Sequence, residues 1–319
     1  MVASSKISPK KLIKKNPFIL SPMDDVTDIA FRELACENGA SYSVSELTSV
    51  DAFVRGKIFK SRYERGNLKV NSVQLFGSKP ETFVEAAKIL GDEADIIDIN
   101  FGCPSANVNA NDSGAILLKD PKNVGKIVGA LVKNINKPIT AKIRLGYEKM
   151  SYMDVAREVE DAGAEVLAIH GRTGKQKYTG RANWDAIKEV HDNVNIPIIG
   201  NGDVSSEDDI DNYLGSHAQA LMIGRAAIGN PYLFKRFEHY HKTGKKLSFD
   251  LDEEKKVIQK KMFLQYLKKL EGREFKNVNV KIQRQAMWFM KGIEGAKNLR
   301  VEILKEKNVS KIIDIVERF

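Results

Sequence analysis

The stretch Asp98-Ile99-Asn100-Phe101-Gly102-Cys103-Pro104 ends a predicted buried strand in a tight turn. Residues 94–101 mix apolar and polar side chains, and Gly102 and Pro104 then stop the strand. Cys103 therefore follows a strand end, where its sulfur could project into a cleft, and Asn100 lies three residues earlier. A buried free cysteine beside a loop is the alternative, since free cysteine is among the most buried residue types. The other strand ends must distinguish these interpretations.

Length and composition indicate a soluble protein from a reducing compartment. The 319 residues are 42% hydrophobic, enough for one large α/β domain and a smaller one. The sequence shows no run of eighteen apolar residues and no signal peptide, so we expect no membrane association and a cytoplasmic location. The two cysteines, Cys36 and Cys103, do not suggest a disulfide framework. We expect no metal site, because no Cys/His group has ligand spacing, and see no sign of an obligate protein partner.

The positive charge is concentrated at the carboxyl end. Residues 242–319 contain 20 Lys and Arg against 11 Asp and Glu, whereas residues 1–241 contain 31 of each. A neutral body with a basic end favours a module that faces a polyanion such as a nucleic acid. A solvated, lysine-rich helical face is the alternative.

Short apolar strands alternate with helical segments over the first three quarters of the chain. The predicted strands are Phe18–Leu20, Tyr42–Ser45, Asn71–Phe76, Ile96–Asn100, Ile139–Arg144, Val166–His170, Ile196–Gly200 and Ala220–Ile223. The predicted helices are Asp28–Asn38, Pro80–Leu90, Pro121–Lys133, Met153–Ala162, Trp184–Val190 and Glu207–Leu214. One further weak helix lies between the second and third strands.

Eight βα units of this total length predict an α/β fold, a (β/α)8 TIM barrel, which typically takes roughly 250 residues. A doubly wound sheet usually carries a glycine-rich turn after its first strand, where this chain has Ser21-Pro22-Met23. After Gly244 the strand signals stop and helical patterns follow. We therefore predict a catalytic barrel over residues 1–241 and a small, basic, all-helical domain over residues 242–319.

All eight predicted strands end in residues that can bind or react. These residues are Pro22 and Met23, Glu46, Gln74, Asn100 and Cys103, Lys142 and Arg144, His170 and Arg172, Asn201-Gly202-Asp203, and Gly224-Arg225. Active sites of such barrels lie at the carboxyl ends of the strands. One such residue is commonly structural, but eight strand ends out of eight favour an active site.

The last two strand ends predict a phosphate site. Barrels often bind phosphate there through backbone N–H groups that only glycine lets a ligand approach, as Gly202 and Gly224 would, with Arg225 adding charge-assisted bonds. Lys142 has two rival uses: a Schiff base with a carbonyl, or stabilisation of negative charge on a reduced flavin. Gln74 and His170 beside it suit a flat polar ring better than a sugar carbonyl, and Met23 could pack on that ring.

A set of motifs follows in order along nearly the whole chain. They are 22–28 (PMDDVTD) with Phe31-Arg32, 74–77 (QLFG), 98–104 (DINFGCP), 114–118 (GAILL), 142–146 (KIRLG), 170–173 (HGRT) with Gln176, Tyr178, Gly180 and Trp184, 201–203 (NGD), 222–225 (MIGR), and Arg284, Trp288, Gly292 and Arg300. In this order they resemble the tRNA-dihydrouridine synthase family.

The resemblance implies an FMN enzyme that reduces a tRNA uridine to 5,6-dihydrouridine and is re-reduced by NADPH. Hydride would pass from reduced flavin to C6, and Cys103 would give a proton to C5. Asn100, Arg144 and Arg172 would bind the substrate. The residues implied to hold FMN are Pro22, Met23, Gln74, Lys142, His170, Asn201, Gly202, Asp203, Gly224 and Arg225. Asp24-Asp25 departs from the pattern, since family members often have small residues there, and alters the expected contact to the flavin edge.

The residues fit this chemistry independently. A carbanion-like C5 needs a proton, and a thiol with an ordinary pKa near ~8.5 stays protonated at neutral pH. An FMN barrel acting on a free pyrimidine, such as a dihydroorotate dehydrogenase, is the nearest rival but needs no basic tail. A non-catalytic RNA-binding protein on the same fold is the other rival, and intact Cys103, Lys142 and His170 argue against it.

The helical end offers candidate RNA contacts. Lys281, Arg284, Trp288 and Lys291 recur at helical spacing, so one face could present cations to phosphates with an aromatic ring between them. Trp288 could equally anchor packing.

Overall fold

Eight parallel strands close into a barrel, which confirms the predicted (β/α)8 TIM fold. The computed structural model describes residues 7–247, 252–275 and 277–318. The strands are β1 (Phe18–Leu20), β2 (Ser43–Val44), β3 (Thr48–Ser49), β4 (Asn71–Phe76), β5 (Ile96–Phe101), β6 (Ile139–Arg144), β7 (Val166–His170), β8 (Ile198–Asn201) and β9 (Ala220–Ile223). The ring closes because β1 pairs with β9 and β2 pairs with both β1 and β4. β3 is a short extra strand beside β4.

A buried arginine reinforces the short seam between β2 and β4. β2 has only two residues, so few ladder hydrogen bonds join it to β4. Arg32 is 1% exposed and donates to the Ser43 carbonyl, the Asn71 side chain and the Ser72 carbonyl at 2.7 to 3.2 Å. Its guanidinium thus joins β2 to β4 through side-chain hydrogen bonds that supplement the short ladder.

The helices lie near their predicted positions. They are α1 (Pro9–Lys15), α2 (Ile29–Glu37), α3 (Val50–Val54), α4 (Pro80–Leu90), α5 (Ala106–Asn109), α6 (Pro121–Asn134), α7 (Tyr152–Asp161), α8 (Trp184–Asn193), α9 (Glu207–Tyr213) and α10 (Leu233–Thr243), followed by α11 (Asp252–Leu270), α12 (Val278–Phe289), α13 (Ala296–Lys305) and α14 (Val309–Glu317). Proline occupies the first position of α4 and α6, where its missing N–H costs nothing. α1, α5 and α10 were not among the helices that the pattern predicted.

The barrel interior changes from apolar to polar along the strands. Ile19, Ile96, Val166, Ile199 and Ala220 form a separate cluster at its amino-terminal end, and Ile13 of α1 packs into the same cluster. Alternate residues of a strand share one face, so Asp98 and Asn100 continue inward from Ile96. The basic leader of the chain therefore closes the bottom of the barrel, while the polar layers lie at its mouth.

The helical tail shares a continuous core with the barrel. Phe31 of α2 lies 6.3 Å, ring to ring, from Phe289 of α12, and Phe289 lies 5.8 Å from Phe263 of α11. α10 ends at Thr243, two residues beyond the predicted end of the barrel. Among the described residues, no helix has both the length and the apolar character that crossing a membrane requires.

Candidate functional site

The Cys103 loop is held from two sides at the end of β5. The Asn100 Oδ1 accepts the backbone N–H groups of Gly102 (3.0 Å) and Cys103 (2.8 Å). Arg144, at the end of β6, donates through Nε to the Gly102 carbonyl at 2.7 Å. Gly114 has φ +71 and packs so closely that a Cβ would lie 2.8 Å from the Cys103 carbonyl oxygen. Since Cys103 is half-buried, burial raises the pKa of its thiol, which keeps it protonated at neutral pH.

Gln74 and Asn100 belong to one buried hydrogen-bond chain beneath that loop. The Asn100 Nδ2 donates to the Gln74 Oε1 at 2.7 Å, and the Gln74 Nε2 donates to Asp98 at 2.7 Å. Thr140 donates to the other carboxylate oxygen of Asp98 at 2.5 Å. Asp98 lies in one of the family motifs but had no predicted role, although a charged residue inside a buried strand is a signal that could have singled it out.

Lys142 and Asn201 meet across the barrel mouth. The Lys142 amine donates to the Asn201 Oδ1 at 2.9 Å, and the Asn201 Nδ2 donates to the Met222 carbonyl at 2.7 Å. Burial, followed by repulsion from Arg144, lowers the pKa of Lys142 to about 7. The amine is thus buried among few anionic groups, and an electron-rich ligand would stabilise its charged form.

His170 is neutral and has a defined tautomer. The Arg172 Nη1 lies 3.2 Å from the His170 Nε2. Because a guanidinium only donates, the Nε2 accepts and the proton resides on Nδ1. Burial and the surrounding cations strongly lower the pKa of His170. His170 therefore offers a ligand one neutral N–H donor.

Arg172 uses its donors inside the protein. It is 1% exposed and donates to the Thr179 and Gly180 carbonyls and to both oxygens of Asp203, at 2.6 to 3.1 Å. These hydrogen bonds hold the Asp203 turn in place.

Asp203 links the ends of β8 and β9. Its carboxylate accepts from Arg172, from Arg225 at 2.8 Å and from the Ala182 N–H at 2.8 Å. Burial alone would raise the pKa of Asp203, but the Ala182 N–H and the two guanidinium groups lower it. Two cations and one anion leave this corner of the mouth with a net positive charge, which suits a phosphate.

The two glycines of this corner differ in what they permit. A Cβ at Gly224 would meet only the Met23 sulfur and the Ser21 side chain, at 3.6 Å or more, so packing does not require glycine there. Gly202 has φ +130, and a Cβ would lie 2.6 Å from the Ala182 Cβ. Gly202 is therefore demanded by the fold itself, while the backbone at Gly224 is open to close approach by a ligand.

Tyr178 lies over the mouth and had no predicted role. Its ring lies 5.5 Å from the Arg144 guanidinium and 5.3 Å from that of Arg225. The side chain is 57% exposed, and its ring centroid is 6.3 Å from that of His170. No local pattern marks this position, because the two arginines reach the ring from distant strands.

Three carboxylates gather at the rim near the end of β1. Oxygens of Asp24, Asp25 and Glu46 lie within 4.8 Å of one another, a spacing that could hold a metal ion. Each carboxylate already has a cation beside it. Arg62 lies 2.8 Å from Asp24, Arg284 lies 2.9 Å from Asp25, and Lys281 lies 3.9 Å from Glu46. The group is thus better described as an ion-pair network between barrel and tail. Burial raises the pKa of Cys103 and the Asp24 charge raises it further, so the departure at this position lies near the Cys103 thiol.

The predicted tail cations do not form one open row. Lys281 was predicted to present its charge to phosphates on one helix face, but it is 12% exposed and lies 3.1 Å from Asp28 of the barrel. Arg284 pairs with Asp25 at 2.9 Å, and its guanidinium lies 6.0 Å from the Trp288 ring. Lys291 is exposed beyond the end of α12.

Sequence relatives identify the family. Residues 19–316 match the family model described as dihydrouridine synthase (Dus). A protein of Shewanella oneidensis called tRNA-dihydrouridine synthase B is 38% identical over 274 residues, covering 83% of this chain and 82% of that protein. A probable tRNA-dihydrouridine synthase of Aquifex aeolicus is 33% identical over 313 residues, covering 95% of this chain and 96% of that one.

Solved structures agree on the fold. The old yellow enzyme homologue from Zymomonas mobilis matches with a TM-score of 0.50 and 16% identity, covering 75% of this chain and 92% of that one. At this identity the likeness concerns the barrel alone. The family match and these two relatives are decisive, and the chain belongs to the dihydrouridine synthase family of oxidoreductases.

Proposed function

We propose that this protein reduces a uridine in tRNA to 5,6-dihydrouridine, with FMN as its cofactor and NADPH as the electron donor. The observation that carries the proposal is the position of Cys103. Its thiol is half-buried and lies at the end of β5 in a loop fixed by Asn100 and Arg144. The family membership supplies the reaction class, and the full-length relatives named for this activity support it.

The polar mouth fits FMN. Its donors are the Lys142 amine and the neutral His170 N–H, which suit the electron-rich edge of a reduced isoalloxazine. The open backbone at Gly224 and the half-exposed Arg225 fit the phosphate. Bound FMN, once reduced by NADPH, would supply the hydride for C6 of the uracil. The residues proposed to hold it are Pro22, Met23, Gln74, Lys142, His170, Asn201, Gly202, Asp203, Gly224 and Arg225.

Within this set, Gln74, Asp203 and Gly202 act through their neighbours. Gln74 is fully buried, and both ends of its amide are already hydrogen-bonded. Asp203 orients Arg225, since a carboxylate itself would repel a phosphate. Gly202 gives the turn its shape.

Asn100 can contact the uracil only as a donor. Its Oδ1 accepts two backbone N–H groups, and one hydrogen of its Nδ2 goes to Gln74. The remaining Nδ2 hydrogen is available for a uracil carbonyl. Arg144, which already spans Gly102 and the carbonyls of Thr173 and Lys177, frames the same side of the mouth.

Cys103 supplies the proton that balances the reduction. Saturating the C5–C6 double bond adds a hydride at C6 and a proton at C5. The Cys103 thiol gives that proton and is left as a thiolate, which solvent then reprotonates. Burial raises the pKa of this thiol, so it is in the protonated state that a general acid requires.

The helical tail would dock the tRNA. Part of its positive excess is already neutralised by the barrel, since Lys269 and Arg273 pair with Glu33, and Lys281 pairs with Asp28. The cations proposed for phosphate contact are the exposed Lys291 and, at the rim, Arg284, whose partner Asp25 is itself exposed. The two free cysteines fit a reducing, cytoplasmic location.

The test is to add purified enzyme and NADPH to tRNA that lacks dihydrouridine. Mapping should show the new base at defined tRNA positions, and the purified protein should be yellow. Reduction of a free pyrimidine at the same rate as tRNA would instead support the dihydroorotate dehydrogenase-like alternative.

A further inference from the structure

We propose that Asp98 is a positioning residue that sets the direction of the hydrogen-bond chain ending at Cys103. The inference rests on the proposed function for the role of the thiol, but its structural part concerns only this chain. Asp98 is 3% exposed in the barrel interior, one layer below the mouth. Strand register places it between Gln74 of β4 and Thr140 of β6.

The chain has four consecutive members. Gln74 Nε2 donates to Asp98 Oδ2 (2.7 Å), Asn100 Nδ2 donates to Gln74 Oε1 (2.7 Å), and Cys103 N–H donates to Asn100 Oδ1 (2.8 Å). The Gly102 N–H joins at the last acceptor, at 3.0 Å. In every bond the donor therefore lies on the side of the cysteine loop and the acceptor lies on the side of the Asp98 carboxylate.

Two of these members could face either way by themselves. The amide groups of Gln74 and Asn100 each present a donor on one side and an acceptor on the other, in nearly identical shapes. Burial raises the pKa of Asp98, whereas the hydrogen bonds from Thr140 and Gln74 and the charge of Lys142 favour its ionised form. At pH 8 the ionised carboxylate only accepts, so Asp98 forces the Gln74 NH2 toward itself. The Gln74 oxygen then faces Asn100, which turns its own oxygen toward the loop. If both amides reversed, the Asn100 NH2 would meet two N–H donors, and the loop would lose both acceptor contacts.

Thr140 does not set this direction. Its hydroxyl donates to the other oxygen of Asp98, but a hydroxyl can donate or accept. Loss of the Thr140 hydroxyl would still leave Asp98 as an acceptor-only group beside Gln74. By contrast, asparagine at position 98 could present either its oxygen or its NH2 to Gln74, so only the Gly102 and Cys103 N–H groups would still favour the original direction.

The experiment compares three variants of the FMN-loaded enzyme at pH 8. Asp98→Asn replaces the acceptor-only group that sets the direction of the chain. Thr140→Val removes one hydrogen bond to Asp98 but keeps the acceptor-only carboxylate. The double variant Asp98→Asn/Gln74→Glu moves the carboxylate one step along the chain. The carboxylate introduced at position 74 can only accept from the side chains at 98 and 100, so the original direction returns. The readout is the hydrogen-exchange rate of the Gly102 and Cys103 amides, measured without tRNA.

We expect D98N to speed exchange of these two amides by about tenfold, T140V to match the wild type, and the double variant to return toward the wild-type rate. D98N should also lower kcat for tRNA reduction while KM for tRNA stays unchanged. Equal exchange in D98N and wild type would overturn the inference, as would equal effects of T140V and D98N. The exchange result is independent of catalysis, so an active Cys103→Ala enzyme would remove the proposed acid and leave the role of Asp98 in the loop standing.

Discussion

The Lys281 amine of the tail lies 3.1 Å from the Oδ2 of Asp28, the residue whose side chain caps α2 of the barrel. The Tyr266 hydroxyl donates to the same oxygen at 2.8 Å, and the other Asp28 oxygen accepts the Phe31 N–H. One buried carboxylate thus joins α2, α11 and α12. The tail packs on the barrel through ion pairs. Part of its positive charge therefore stabilises the fold, in addition to any role in binding a polyanion.

Replacing Lys281 with methionine should destabilise the whole protein. The change leaves Asp28, which is 1% exposed, without its cation, and breaking a buried pair in this way costs about 3–5 kcal/mol. Denaturant unfolding should show a lower midpoint. Lys311→Gln, at a tail lysine that is 69% exposed, is the matched control and should leave the midpoint unchanged. An unchanged midpoint for Lys281→Met would show that the pair contributes nothing in solution.

Gly224→Ala should weaken FMN binding by intruding on the phosphate. The added Cβ clashes with no protein atom, so the fold should tolerate it. Titration with FMN and with riboflavin separates the effects, because only FMN carries the phosphate. Affinity for FMN should fall toward that for riboflavin. Gly129→Ala in α6, where a Cβ would also be accommodated, is the control. Equal losses for both ligands would place the phosphate elsewhere.

Lys142 should make the stability of the flavin-free protein depend on pH. Burial lowers its pKa from 10.5 to about 7, so between these values the unfolded state binds more protons than the folded state. The free energy of unfolding should therefore rise across this window, by up to about 1.4 kcal/mol per pH unit. Lys142→Met should lack this rise. Parallel stability curves for the two proteins from pH 7 to 10 would contradict the prediction.

Lys291→Gln should weaken tRNA binding and make it less sensitive to salt. A lysine on a phosphate releases counterions, and its loss should lower the log–log salt slope by roughly 0.7–0.9. Lys133→Gln is the control, since Lys133 is exposed at the end of α6, on the side of the barrel away from the mouth. Identical slopes for both variants would exclude Lys291 from the docking surface.

Local patterns were sufficient to predict the barrel. The strands Phe18–Leu20, Asn71–Phe76, Ile139–Arg144, Val166–His170 and Ala220–Ile223 have the bounds that their apolar runs predicted. Glycine and proline at the strand ends punctuate these runs clearly. Because the carboxyl ends of all strands meet at one mouth, the positions of the candidate site residues followed from the fold.

Contacts between distant segments could not be read from the sequence. Lys281 recurs at helical spacing with Arg284, but only the packed structure shows that it faces Asp28. Likewise, Ile13 of the basic leader closes the barrel because of a tertiary contact. The direction of the amides above Asp98 depends on strand register, which periodicity leaves open.

The most direct test of the account is single-turnover reduction of tRNA by enzyme first reduced with NADPH. Cys103→Ala should keep FMN, react with NADPH and bind tRNA as the wild type does, because none of these steps needs the thiol. Formation of dihydrouridine should slow by about 10²–10⁴-fold, the usual contribution of a general acid. Cys36→Ala, at the other free thiol on α2, should react at the wild-type rate. A Cys103→Ala enzyme that forms dihydrouridine as fast as the wild type would contradict the account.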